Sequence, residues 1–222
     1  MSRPVFNLPN VLAVAGGLAA GLILANYLRT PPETSGGHDH EHHNHEPEVM
    51  ELGEPPEVEA AVTHLPPIAL PDLKGEVREL KEWYGRPMIV NFWATWCAPC
   101  RREMPLLQLT HDTAGDLGPQ VIGIAVDRTD DVISYVAESG YTYPMVIGQQ
   151  EALDITEQFG FDFLGLPLTI FAAADGEILK IHIGEVHAEQ LQQYLMSVSQ
   201  LQAGEIDVIT AKEQMAAVES AE

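Results

Sequence analysis

Cysteine is almost missing from this sequence, with Cys97 and Cys100 the only two in 222 residues. Two cysteines so close together cannot staple a disulfide-dense scaffold, and one chain cannot build a four-cysteine zinc site from them. They are read as one local pair. Basic charge is scarce too: 11 Lys and Arg face 33 Asp and Glu, a formal charge of -22. Such a surface repels phosphate backbones and anionic head groups, which argues against a nucleic-acid partner. The sequence shows no internal repeat, no Gly-rich phosphate loop and no Ser/His/Asp order of hydrolytic type. Aromatic residues reach only 7%, yet hydrophobic residues make up 45%, enough to fill a core. Part of the chain must therefore fold, and the length has room for about one to two ordinary domains.

Charge is also absent between Arg3 and Arg29, where Val11 to Leu28 reads VLAVAGGLAAGLILANYL. As a helix this run extends ~27 Å, close to the ~30 Å hydrocarbon core of a bilayer. Residues 1–30 are thus expected to form an N-terminal transmembrane helix, or else a cleaved signal peptide with small residues at Ala19-Ala20-Gly21. Either would export the downstream chain. Gly17 and Gly21 have GxxxG spacing, which chance explains in a segment so rich in Gly and Ala. Arg3 and Arg29 nearly balance across the span, and the lack of basic residues just after Arg29 suits translocation of the rest. The expected arrangement is a single-pass cell-membrane protein whose folded part lies on the extracytoplasmic side, periplasmic or extracellular.

Residues 31–61 are rich in Pro, Glu and His and have no Lys or Arg, a composition too poor in apolar surface to fold. This linker carries His38, His40, His42, His43 and His45 among Asp39, Glu41 and Glu46. Imidazoles and carboxylates suit zinc, nickel or copper, while a solvated spacer without metal accounts for the same composition. Folded patterns begin near residue 62. Ile68-Ala69-Leu70 and Val77 to Leu80 flank a Lys74-Gly75 turn and predict a small hairpin. Met88 to Trp93 and Val121 to Val126 are apolar runs expected of strands buried on both faces. Helices are expected after Cys97, after an Asp130 or Asp131 cap, and from Glu151; further strands at Tyr143–Ile147, Leu168–Ala172 and Ile178–Ile183. A closing amphipathic helix is expected through Leu191, Tyr194, Leu195, Val198 and Leu201. The order is that of an α/β fold, βαβ units followed by ββα, over residues 62–202. Residues 203–222 are expected to be an acidic, partly helical C-terminal tail.

Cys97-Ala98-Pro99-Cys100 stands where a buried strand gives way to a helix. Unpaired backbone N–H groups and the helix macrodipole there stabilise a thiolate, which makes Cys97 the natural nucleophile. Pro99 falls in the first helical turn, where its missing N–H costs nothing. Two intervening residues keep Cys100 within disulfide reach. Glu103 lies three residues beyond Cys100 on the same helical face, either as a proton acceptor or as a solvated acid paired with Arg101 or Arg102. The remaining histidines, His64, His111, His182 and His187, have no partner at ligand spacing.

The segment Val90-Asn91-Phe92-Trp93-Ala94-Thr95-Trp96-Cys97-Ala98-Pro99-Cys100-Arg101-Arg102-Glu103-Met104-Pro105 resembles the active-site segment of the thioredoxin superfamily, and within it the membrane-tethered TlpA/ResA group. Gly165-Leu166-Pro167 resembles the cis-proline loop of that family, and Asp175-Gly176 its hairpin turn. The resemblance covers about residues 62–202. It implies a thioredoxin-like fold with an N-terminal β-hairpin and a central βα insertion around residues 130–147. It implies catalysis by Cys97, Cys100 and Glu103, with Trp96, Pro99, Leu166 and Pro167 facing the substrate. Relatives in the wider superfamily carry an Asp where this chain has Asn91, which cannot titrate. Leu166 is at a position where relatives vary. The function implied is reduction of disulfides in exported proteins, such as apocytochrome c or a copper-site assembly protein, with a membrane electron-delivery protein as reductant. No cofactor is implied beyond the redox-active disulfide. Alternatives are a disulfide-forming oxidant in the manner of DsbA, and a metal carrier using Cys97, Cys100 and the His tract. A peptide of residues 31–60 is expected to release or take up heat with zinc or copper in calorimetry; heat no greater than that of a His-to-Ser control would make the tract a spacer.

Overall fold

The computed structural model describes residues 62–159 and 165–219. The expected anchor and the His tract lie outside these residues, and among the described ones no helix is long and apolar enough to cross a membrane. A hairpin of β1 (Ala69–Pro71) and β2 (Val77–Glu79) comes first. Its turn is closed by the Asp72 carboxylate, which accepts from the N–H groups of Lys74 and Glu76. The main sheet has five strands: β3 (Met88–Trp93), β4 (Gln120–Val126), β5 (Met145–Gly148), β6 (Leu168–Ala172) and β7 (Ile178–Ile183). Their spatial order is β5-β4-β3-β6-β7. The β3/β4 and β4/β5 pairs are parallel, and β3/β6 and β6/β7 are antiparallel.

The central strand β3 is buried at every residue. Side chains alternate between the two faces of a strand, so its six residues serve two cores. Met88, Val90 and Phe92 pack into one core with Ile122, Ile124 and Ile170, while Ile89 and Trp93 enter the other with Met104, Leu107 and Phe171. Asn91 shares the parity of Ile89 and Trp93. It therefore points at the face covered by α1 (Ala98–Thr113), the helix at whose start both cysteines stand. The helix runs on through Pro105 to Thr113.

Two further helices pack on the sheet, α2 (Thr129–Ser139) and α3 (Gln150–Glu157). The cap expected at Asp130 or Asp131 is not formed. Arg128 is the N-cap of α2 without a side-chain bond, and both acids sit inside the first turn, where they complement the macrodipole. The strand expected at Tyr143–Ile147 begins later, at Met145, because Pro144 precedes it. Helix α4 (Ala188–Gln202) then covers the β6/β7 side with Leu191, Tyr194 and Val198 buried.

Residues 203–219 do not form a tail outside the domain, and the expected boundary at 202 is corrected accordingly. Gly204, at φ +70, turns the chain, the Asp207 carboxylate caps the Thr210 N–H, and α5 (Val208–Glu219) follows. Ala211, Met215 and Val218 are buried in the same core as Met104 and Phe171, and Lys212 pairs with Glu177 at 2.8 Å. Val208, Ala211, Met215 and Val218 recur at i, i+3, i+7 and i+10, one narrow stripe along the helix. Met215→Ala is expected to cost about 2–5 kcal/mol in denaturant unfolding, whereas Ile209→Ala, at 69% exposed, leaves the midpoint in place. An unchanged midpoint for Met215→Ala would make α5 an appendage of the domain.

Candidate active site

Strand β3 ends at Trp93, and Ala94, Thr95 and Trp96 carry the chain over the C-terminal edge of the sheet into α1. Asp127, at the end of the neighbouring β4, pins this crossing: its Oδ2 accepts from the Thr95 N–H at 2.9 Å and from Thr95 Oγ1 at 2.6 Å. Cys97 is the N-cap of α1, with φ -81 and ψ 104, and its Sγ accepts from the Cys100 N–H at 3.3 Å. Pro99 occupies the second helical position. Cys97 and Cys100 are joined in a disulfide with Cα atoms 5.3 Å apart. Cys97 keeps 4% of its surface and Cys100 none, so an incoming sulfur reaches Cys97 first. Trp96 beside it is 66% exposed.

The register of the sheet brings the second wall of the site. Phe92 pairs with Leu168, which puts the start of β6 beside the end of β3. Pro167, one residue earlier, is buried, and its peptide bond with Leu166 is cis. Leu166 is half-buried and packs against both cores. Cys97, Cys100, Trp96 and Pro99 thus follow the end of β3, and Leu166 and Pro167 precede the start of β6 beside it. The His tract lies outside the described residues.

Glu103 is a buried acid, which removes the reading of it as a solvated acid paired with Arg101 or Arg102. It retains only 2% of its surface. Its Oε1 accepts from Asn91 Nδ2 at 2.7 Å and its Oε2 from the Val186 N–H at 2.8 Å. Asn91 Nδ2 also reaches Thr169 Oγ1 at 2.9 Å. Asn91 and Thr169 face one another across the β3/β6 pair, and Gly123 stands opposite Asn91 on β4. A side chain at Gly123 would press on Trp93 Nε1 at 3.0 Å and on the Tyr143 ring at 3.1 Å, so glycine here leaves space for both aromatic rings. Burial pushes the Glu103 carboxyl up to about 7, the two N–H donors pull it back, and the negative Glu185 adds to the rise. Asn91 serves either protonation state. Its Nδ2 donates to a carboxylate, and its Oδ1, buried without a partner among the described residues, can accept from a carboxylic acid if the amide turns.

Sequence reasoning missed Thr169, Val186 and the Arg102–Glu185 pair. Thr169 had a signal in its strand parity, two residues after Pro167. Glu185 and Val186 had none, being 83 residues from their partners on α1. His182 is buried and satisfied, with Nδ1 at 3.3 Å from Tyr194 Oη and Nε2 at 3.3 Å from the Glu185 carbonyl. His64 differs from expectation, since the fold brings it to Asp175 and Glu177 within ligand reach near the surface. Lys212 already neutralises Glu177 there.

A family model described as AhpC/TSA matches residues 62–181. The thiol-disulfide oxidoreductase ResA of Bacillus thuringiensis (strain Al Hakam) is 31% identical over 135 residues, 60% of this chain and 76% of that protein. Among solved structures, a thiol:disulfide interchange protein of the thioredoxin family from Chlorobium tepidum TLS gives a TM-score of 0.51 at 28% identity, covering 56% of this chain and 87% of that one. A secreted thiol-disulfide isomerase from Corynebacterium glutamicum gives 0.55 at 26% identity, covering 60% and 84%.

The raised carboxyl has a stability consequence with a definite sign. Between its ordinary value of 4.5 and about 7 the folded, oxidised protein holds a proton that the unfolded chain has lost. Stability supplied by this group is complete below 4.5 and is lost as the pH rises through about 7. The rise corresponds to about 3 kcal/mol. Glu103→Gln cannot ionise, so its stability relative to the wild type is expected to improve by about that much between roughly pH 4 and pH 8. Denaturant titrations at several pH values check this, and parallel curves for the two proteins would place the carboxyl at its ordinary value.

Proposed function

We propose, from the premise that this chain belongs to the AhpC/TSA family and is a thiol-disulfide oxidoreductase of ResA-like type, that it reduces disulfides of exported proteins on the extracytoplasmic side of a membrane. The observation that carries this direction is the buried Glu103 behind the Cys97–Cys100 pair. Strong oxidants of this chemistry owe their potential to a stabilised reduced form, whose attacking cysteine is held as a thiolate. A buried acid that becomes negative near neutral pH opposes thiolate formation beside it, and so favours giving electrons away.

The reaction starts from the dithiol. Cys97 Sγ, as thiolate at the N-terminus of α1, attacks one sulfur of the substrate disulfide; a Cys97–substrate bond forms and the substrate's other sulfur leaves and takes a proton. Cys100 then gives its proton to the Glu103 carboxylate. Its thiolate attacks Cys97 Sγ, closing the Cys97–Cys100 disulfide and releasing the second substrate sulfur. The second substrate sulfur takes the proton that Cys100 passed to Glu103, and the first takes one from water, where Cys97 lost its own on ionising; the substrate thus gains two electrons and two protons, the electrons from the domain. With a carboxyl titrating at about 7, acceptor and donor forms of Glu103 are both populated near neutrality.

Trp96 and the Leu166–Pro167 segment offer the surface beside Cys97 on which an extended substrate segment can lie. The disulfide itself is the redox group, and the reaction as written needs no other cofactor. Recharging requires a dithiol donor; a membrane electron-delivery protein fits an extracytoplasmic domain, with residues 1–30 as its anchor and residues 31–61 as tether. Apocytochrome c and copper-site assembly proteins are the proposed substrates.

The deciding measurement is the reduction potential of the Cys97/Cys100 couple. A value near that of thioredoxin, roughly -270 mV, is expected, and one near ~-120 mV would reverse the direction. Cys100→Ser is expected to accumulate mixed disulfides through Cys97, while Cys97→Ser abolishes turnover. Adducts found on Cys100 in Cys97→Ser would exchange the two roles.

A further inference from the structure

The loop between β7 and α4, residues 184–187, supplies the N–H that donates to Glu103 Oε2, that of Val186. The residue before it, Glu185, is bound from the active-site helix. Arg102 Nε donates to Glu185 Oε2 at 2.8 Å, and Arg102 Nη2 shares the same oxygen. Arg102 and Glu103 are consecutive on α1, and Glu185 and Val186 are consecutive in the loop. Two neighbouring residues on one element therefore grip two neighbouring residues on the other, one grip by an ion pair at the surface and one by a hydrogen bond in the interior. His182 Nε2 at the Glu185 carbonyl holds the same loop from β7.

We propose that Arg102 and Glu185 are positioning residues for the proton-transfer step: their ion pair clamps the loop to α1, so that the Val186 N–H stays on the Glu103 carboxyl, and masks the Glu185 charge from it. This rests on the reading of Glu103 as the proton acceptor of Cys100. The pair itself adds little to stability. The Arg102 side chain is 60% exposed, so water screens the attraction and the two long side chains give up freedom to hold it. Its leverage comes from location. Glu185 is a charge that pushes the Glu103 carboxyl up, and Arg102 is the first cause holding the Glu185 carboxyl below its ordinary value.

The charged and titratable groups around this grip come from several elements. Helix α1 contributes Arg102, its Cys97 and Cys100 being joined in a disulfide that does not titrate; the loop contributes Glu185 and His187; β7 contributes His182; and Tyr143 enters from the segment before β5. Asn91 and Thr169 face the carboxyl region from β3 and β6 without titrating. The Tyr143 hydroxyl, pushed well up by burial, stays neutral. Removing the Arg102 charge has two consequences of the same sign. Glu185 acts on Glu103 unmasked, and the freed loop no longer holds its N–H on the carboxylate. Both favour the protonated form.

The test is the titration of Glu103 followed by carboxyl carbon NMR in the full-length oxidised protein, with thermal unfolding in parallel. Arg102→Gln is expected to move the midpoint upward by roughly 0.5–1 pH unit, with little change in unfolding temperature. Arg102→Lys is expected to restore most of it, and the reversed pair Arg102→Glu with Glu185→Arg to bring it back down. An unmoved midpoint in Arg102→Gln overturns the proposal, as does a midpoint that moves equally in Arg102→Lys. The dithiol form separates this inference from the one beneath it. A midpoint that moves while the rate of Cys100 attack on a Cys97 mixed disulfide stays constant upholds the clamp and removes Glu103 as proton acceptor.

Discussion

Burial of one carboxyl group organises this site. Glu103 sits on the inner face of the cysteine helix, where an ionised acid is costly, and the fold offsets that cost only in part, with one N–H from Asn91 and one from Val186. A stronger set of donors would hold the carboxyl permanently ionised, and an apolar pocket without donors would hold it permanently protonated. Two donors, with a nearby negative charge, leave it balanced near 7. That balance is what the proposed exchange of a proton with a thiol requires.

The rest of the domain supplies the conditions such a carboxyl requires. The parity of β3 turns Asn91 toward α1, and the antiparallel register of β6 sets Thr169 directly opposite to orient its amide. Gly123 on the other flank leaves room for the Trp93 and Tyr143 rings that keep water away. The strand that orients Asn91 also feeds the crossing to the cysteine pair, so disulfide and buried carboxyl are carried by one helix and referenced to one strand. Where wider relatives keep the titrating group on the strand, this chain has an amide there and an acid on the helix.

The domain also reaches further than its active-site half suggests. Helix α5 joins the core beside β7 with Ala211, Met215 and Val218. The acidic composition around those residues hides the stripe, since only four apolar positions in twelve carry it, and an exposed Ile209 interrupts it. Composition reads the bulk of a segment, whereas docking depends on one face. The same distinction explains the α2 cap: both acids suit the helix start, but the backbone turns at Arg128 before either can bond across it.

Much of the site was legible in the order of residues. A buried apolar run, two cysteines separated by two residues, a proline in the first turn and a glutamate one helical turn further are all local, and local geometry follows from local sequence because strand and helix periods are short. From that alone came the strand-to-helix placement of Cys97 and Cys100 and the shared face of Cys100 and Glu103. Whether Glu103 was buried or solvated was not decidable there. Its fate depended on Val186 and Glu185, which are 83 residues distant from their partners, and on Thr169, which meets Asn91 only through pairing of β3 with β6. Desolvation and hydrogen bonding act over a few ångströms in space regardless of separation along the chain. For that reason the sequence by itself determined which groups could do the chemistry, and only the tertiary structure decided the electrostatic environment of one of them, the Glu103 carboxyl.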